Sequence, residues 1–300
     1  MNKREARKFD QLYTKFVREL ELQGYAEVTV DSYARGIRRV SQYFDCCPDG
    51  RLTKDDLKQY FADLLKTHSW STIKLDRNAL QHYWLRVLQL DWDWVLIVKP
   101  PKVKSLPDIL SANEINRVLA QIQKPQYAVL CYVMYTLGLR ISEALNMTVN
   151  DIDREHHRIH VRLGKGKKDR YVKLPDATYQ VLREFWATHR HKTWIFPSLQ
   201  KNSPNVPMDR CNAQKAIREA VKSAGINKRI TAHSLRHCYA THLIESGLNL
   251  RAVQDLLGHE DPRTTAIYTQ LTETVQQDTS ATINSIANKI QSPLGQRGDA

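Results

Sequence analysis

The sequence predicts a mainly α-helical protein with one small β-sheet, divided into an all-helical first domain and an α+β second domain. Three observations predict this. Apolar residues recur at helical spacing over most of the chain. A single stretch, Arg158 to Pro175, alternates with a period of two. Three prolines and three lysines crowd residues 99–107. At 300 residues the chain is long enough for two domains, since a single domain usually runs about 100–200 residues.

In the first domain, residues 1–98, Phe9, Leu12, Phe16 and Leu20 mark one helix, with Gly24 placed to stop it. Thr29 is placed to cap a second, which carries Tyr33, Ile37, Val40 and Phe44. Thr53 followed by Asp56 reads as a capping box ahead of Leu57, Tyr60, Phe61 and Leu64. Ser71 is placed to cap a fourth, with Leu80, Tyr83, Trp84, Val87 and Leu88. Residues 99–107 form the expected linker, because proline lacks a backbone donor and disfavours helix.

The second domain is expected over residues 108–276. Ser111 and Glu114 signal a helix through Ile122, and Tyr127 to Leu139 reads as a buried apolar helix. Ile159, Val161 and Leu163, then Val172 and Leu174, alternate with polar residues on either side of a basic turn, Gly164 to Arg170. That pattern predicts a β-hairpin or short sheet. Helices are expected over Tyr179–Thr188, Asn212–Ala224, Thr231–Ser246, Leu250–Leu257 and Thr264–Thr272. A last helix is expected over residues 277–292, with Ile283, Ile286 and Ile290 on one face, and a disordered tail over 293–300.

The formal net charge is +13. Basic residues exceed acidic ones both before and after residue 105, so both domains look able to meet a polyanion. No apolar stretch approaches the roughly 20 residues that a membrane span needs, and no apolar signal core follows the charged N-terminus. The five cysteines show no C-x-x-C spacing, which suits free thiols in a reducing cytoplasm.

Several residues are candidates for chemistry. His233 and Arg236 are three apart at the start of a helix that Thr231 is placed to cap. Free N–H groups and the helix dipole favour an anion there, although a surface helix gives the same spacing. Arg140 stands in the apolar stretch Thr136 to Leu145. A buried guanidinium needs an anion: an internal ion pair with Glu143, a bound phosphate, or both. The basic turn holding Lys165 is either a solvated tip or a cation source. It is not a P-loop, because the required glycine-lysine pattern and following helix are missing. His259 follows Leu256-Leu257-Gly258 at a helix end, and Tyr268 lies nine residues beyond. A lone tyrosine of this kind is more often a packed aromatic.

Taken in order, Arg140, Lys165, His233, Arg236, His259 and Tyr268 resemble the catalytic set of the tyrosine recombinase (phage integrase) family. The flanking words fit as well: Thr-Leu-Gly-Leu-Arg-Ile-Ser-Glu-Ala-Leu, His-Ser-Leu-Arg-His-Cys-Tyr-Ala-Thr-His-Leu and Leu-Leu-Gly-His-Glu-Asp-Pro-Arg-Thr-Thr-Ala-Ile-Tyr. The resemblance covers about Leu106 to Thr272. It departs at Cys238, where the family commonly has threonine, and at Gln270, where many members have histidine.

The resemblance implies a helical, SAM-like core-DNA-binding domain ahead of an α+β recombinase catalytic domain. It implies a site-specific recombinase acting on double-stranded DNA through a 3′-phosphotyrosine, with a homotetramer at synapsis. By the same resemblance Tyr268 is the nucleophile and His233 its proton acceptor. Arg140, Arg236 and His259 hold the phosphate oxygens, and Lys165, with Lys167 as its rival, protonates the leaving oxygen. No cofactor or metal is expected. The competing readings are a metal-dependent nuclease using His233, His237 and His259, and a catalytically silent DNA-binding regulator. A type IB topoisomerase would share the chemistry.

Overall fold

A computed structural model of the chain describes residues 1–92, 107–162, 169–198, 200 and 205–258. The chain divides into two compact units, Met1–Lys104 and Ser105–Ala300.

Among the described residues of the first unit, all regular elements are helices. Helix α1 (Lys3–Leu22) is capped by Asn2, whose side chain accepts from the Glu5 amide at 2.9 Å. Helix α2 (Glu27–Phe44) begins ahead of the expected Thr29 cap, after the extended residue Ala26. Helix α3 (Lys54–Thr67) opens on the expected Thr53–Asp56 capping box, with the Thr53 amide donating to Asp56 at 2.8 Å. Helix α4 (Trp70–His82) is capped by Ser69 rather than Ser71. It runs on as a π-helical turn, Tyr83–Leu88, which brings Tyr83, Trp84 and Val87 all into the core. Asp76 is buried in that core between α2 and α4. Arg39 grips it at 2.7 and 2.6 Å and the Tyr60 hydroxyl donates to it at 2.6 Å, so both oxygens of the buried carboxylate are partnered.

The second unit begins with α5 (Ala112–Gln121), opened by the Ser111–Glu114 capping box, and α6 (Pro125–Thr136). The sequence suggests one apolar helix through Leu139. Instead α6 stops at Thr136, because Gly138 adopts a left-handed φ of 61°. A short helix, α7 (Ile141–Leu145), then restarts with Arg140 as its extended entry residue. Three antiparallel strands follow, β1 (Ile152–Asp153), β2 (Arg158–Val161) and β3 (Arg170–Lys173), hydrogen-bonded in that order. Ile159 pairs with Val172, and Val161 with Arg170. Helices α8 (Asp176–His189), α9 (Arg210–Ser223), α10 (Ala232–Glu245) and α11 (Leu250–Leu257) complete the described unit. Leu130, Met134, Leu145, Ile159, Val172 and Leu235 lie in one core. A smaller cluster of Ala240, Ile244, Val253 and Leu257 joins α10 to α11.

The linker apart from Pro107, the tip of the β2–β3 turn, the helix expected from Thr264, and the C-terminal helix and tail lie outside the described residues.

Candidate active site

The site is built where four chain turns meet: the α6–α7 junction, β3, the start of α10 and the end of α11. Helix α10 opens at Thr231, whose amide donates to the Ser234 hydroxyl at 3.1 Å. One turn on, Arg236 is fully buried. Its Nη1 donates to the Gly138 carbonyl at 2.7 Å and its Nη2 to the Leu257 carbonyl at 2.6 Å. Leu257 is the last residue of α11, where helix carbonyls lack partners inside the helix and the dipole favours a cation. One guanidinium thus ties the end of α11 to the break after α6. Gly138 is required twice over, by its positive φ and because a Cβ there would run into the ring of Tyr239.

Glu143, on α7, is the electrostatic centre of the site. Arg140 donates to it through Nη1 at 2.6 Å and through its backbone amide at 2.9 Å. Arg170 of β3 grips both carboxylate oxygens, at 2.9 and 2.8 Å. Arg236 Nη1 lies 3.8 Å away as a third cation. Burial pushes the Glu143 carboxyl up, but the hydrogen bonds and charge of Arg170, with those from Arg140, outweigh it and hold the group down at about 2. Glu143 is therefore ionised at neutral pH. One carboxylate among three guanidiniums leaves a local surplus of positive charge, as an anion site requires.

His233, one turn before Arg236, is exposed. Lost hydration lowers its pKa, and the charges of Arg236 and Arg140 lower it further against the pull of Glu143. Its ring meets His237 edge-on, with 4.6 Å between centroids. Burial, then His233 and Arg236, push His237 down to about 4. Both imidazoles are neutral at pH 7.

The structure thus brings Arg140, His233 and Arg236 to one place, around Glu143. Lys165, His259 and Tyr268 lie outside the described residues. Gly258, the residue before His259, has a φ of 66°, and a Cβ on it would stand 2.7 Å from Cδ of Arg170. Arg170 is the residue that sequence reasoning missed, having passed as one more cation of the turn. The signal was its parity: it shares strand phase with Val172 and Leu174, which point inward. Among the described residues no three His, Cys, Asp or Glu side chains converge as metal ligands, and no helix is long and apolar enough to cross a membrane.

Comparison with known proteins agrees with this architecture. Residues 108–274 match the phage integrase family, and residues 12–94 match the phage integrase N-terminal SAM-like domain. The tyrosine recombinase XerA of Thermococcus kodakarensis is 31% identical over 267 residues, covering 88% of this chain and 92% of that protein. The tyrosine recombinase XerD of Staphylococcus saprophyticus is 30% identical over 280 residues, covering 87% and 93%. Among solved structures, the XerH site-specific recombinase bound to its palindromic difH substrate, a post-cleavage complex, superposes with a TM-score of 0.66. It has 21% identity and covers 86% of this chain and 81% of that one, a likeness of fold. The chain belongs to the phage integrase family: it is a tyrosine recombinase, an enzyme that cuts and rejoins DNA.

Proposed function

We propose that this recombinase cuts duplex DNA at a specific site with Tyr268 as nucleophile and rejoins it to another strand. The observation that carries the reading is the convergence of Arg140, Arg170 and Arg236 on Glu143, with His233 one helical turn from Arg236. In the first step the Tyr268 oxygen attacks the scissile phosphorus and the P–O5′ bond breaks, leaving a 3′-phosphotyrosine. The phenol proton passes to His233 and Lys165 protonates the departing 5′-oxygen. A 5′-hydroxyl of another strand then reverses the step. One phosphodiester is exchanged for another ester, so the balance needs no ATP and no cofactor. We assign Arg140, Arg236 and His259 to the non-bridging oxygens, where charge builds in the transition state. Guanidinium forks match phosphate geometry.

We place the DNA-holding function in the helical unit and the chemistry in the second unit, with a linker over residues 99–107. We assign duplex DNA as the partner, a homotetramer as the synaptic assembly and the cytoplasm as the compartment. The net charge of +13 supports a phosphate-bearing partner. The test is covalent trapping. A nicked duplex carrying the target site, incubated with the protein in excess EDTA, should yield a protein–DNA adduct that survives denaturation. No adduct, or one that needs a divalent metal, would refute the reading.

A pH dependence follows from the site. A base must be neutral to accept a proton, and the pKa of His233 is depressed below the ordinary histidine value of 6.5. Single-turnover cleavage should therefore hold its rate down to about pH 6.5 and fall only below it. A rate that already halves near pH 7 on the acid side would take His233 out of this role.

A further inference from the structure

Resting on the phosphotyrosine reading, we infer that Arg170 is a positioning residue for the cleavage step, keeping Glu143 from drawing the arginine clamp away from the phosphate. The argument is a count of acceptors. An ionised carboxylate offers about four lone-pair sites. Among the described residues four donors fill them: Arg170 Nη1 and Arg140 Nη1 on Oε1, Arg170 Nη2 and the Arg140 amide on Oε2. Arg236 Nη1 stands at 3.8 Å from Oε2, an ion pair beyond hydrogen-bond reach. It is held instead by the carbonyls of Gly138 and Leu257.

Without Arg170, two acceptor sites open on a buried carboxylate. The side chain of Glu143 is only 5% exposed, so water can do little to refill them. The donors at hand are Arg236, with Nη1 at 3.8 Å from Oε2, and the rest of the Arg140 fork. Both would turn inward, and each donor that Glu143 captures is lost to the non-bridging oxygens. The fork of Arg170 is suited to prevent this because it occupies both oxygens at once.

Arg170 also has a fixed path. Its side chain, 14% exposed, passes against Gly258, where the bare glycine leaves it room. Its Nε is buried and makes no hydrogen bond among the described residues, so its grip on the site comes through the two terminal nitrogens on Glu143. Arg170 thereby joins β3 to α7 and to the end of α11.

The test uses the full chain and a nicked duplex carrying the sequence recovered from DNA bound to the wild-type protein in its host. Arg170→Met keeps an unbranched stem as far as the Nε position and removes the fork; Arg170→Lys keeps the charge but presents a single nitrogen. DNA binding should stay within about threefold of wild type, while single-turnover cleavage should fall about 10²-fold for Arg170→Met and at least about tenfold for Arg170→Lys. The discriminating measurement adds Glu143→Gln to each. A neutral amide still accepts from the Arg140 backbone but no longer competes for the guanidiniums, so each double variant should cleave at least about tenfold faster than its single parent. A purely structural role would make the doubles worse.

If Arg170→Met fails to fold, the Arg170→Lys pair decides. Single variants that cleave within threefold of wild type, or doubles no faster than the singles, overturn the inference. A wild-type protein that forms no adduct overturns this inference and the phosphotyrosine reading together, whereas a wild-type adduct with unaffected variants overturns this inference alone.

Discussion

Replacing Tyr268 by phenylalanine is expected to abolish the covalent protein–DNA adduct while leaving DNA affinity within about twofold of wild type. The change removes one oxygen and nothing else. Affinity for duplex DNA comes chiefly from lysine and arginine contacts to phosphates, with release of counterions, and a phenol hydroxyl adds little to that. Chemistry depends on it entirely, because phenylalanine has no atom that can form an ester with phosphorus. A serine or a water attacking in its place would lack the alignment that makes an intramolecular attack fast. Gel-shift titration measures the first quantity, and denaturing electrophoresis of the trapped nicked duplex measures the second. An adduct formed by Tyr268→Phe would move the nucleophile to another residue. Loss of binding along with the adduct would mean that the hydroxyl has a packing role, which the assignment does not contain.

Local chemistry made much of the fold legible in the sequence. Capping boxes declare themselves within four residues, and those at Thr53 and Ser111 start the helices they were expected to start. The alternation around Ile159 and Val172 gave the sheet, because one buried face imposes a period of two. What escaped depends on backbone choices that side-chain periodicity does not encode. The apolar run from Tyr127 looked continuous, yet Gly138 breaks it and leaves Arg140 as the entry residue of a new helix. Ser71 lies two residues and Thr29 three residues beyond the true N-caps, where Ser69 and Ala26 hold extended conformations. In the candidate site, the Arg140–Glu143 pair was readable because three residues on a helical turn are neighbours. The Glu143–Arg170 and Arg236–Gly138 contacts span 27 and 98 residues, and no local pattern announces a contact of that range.

Those long-range contacts make Arg236→Lys and Arg140→Lys unequal, although both preserve charge and both remove a fork. Arg236 donates from two different nitrogens to carbonyls of two different chain segments. A lysine ammonium is a single point on a flexible stem, and it cannot stand where both nitrogens stood. One of the carbonyls of Gly138 and Leu257 would be left buried without a partner, at a cost of about 1–3 kcal/mol. Arg236→Lys should therefore lose about 10²–10³ in cleavage rate and also unfold at lower urea. Arg140 makes its side-chain bond to Glu143 alone among the described residues, and its side chain is 20% exposed. A lysine there can still reach Glu143, and the backbone amide of residue 140 keeps its own bond to that carboxylate. Arg140→Lys should lose a similar factor in rate with little change in stability. Urea titration and single-turnover cleavage of the two variants side by side check both halves of the claim. Equal stability losses would show that the buried carbonyl anchors of Arg236 matter no more than the side-chain pair that Arg140 makes with Glu143. Wild-type rates in either variant would show that its guanidinium does not meet the phosphate at all.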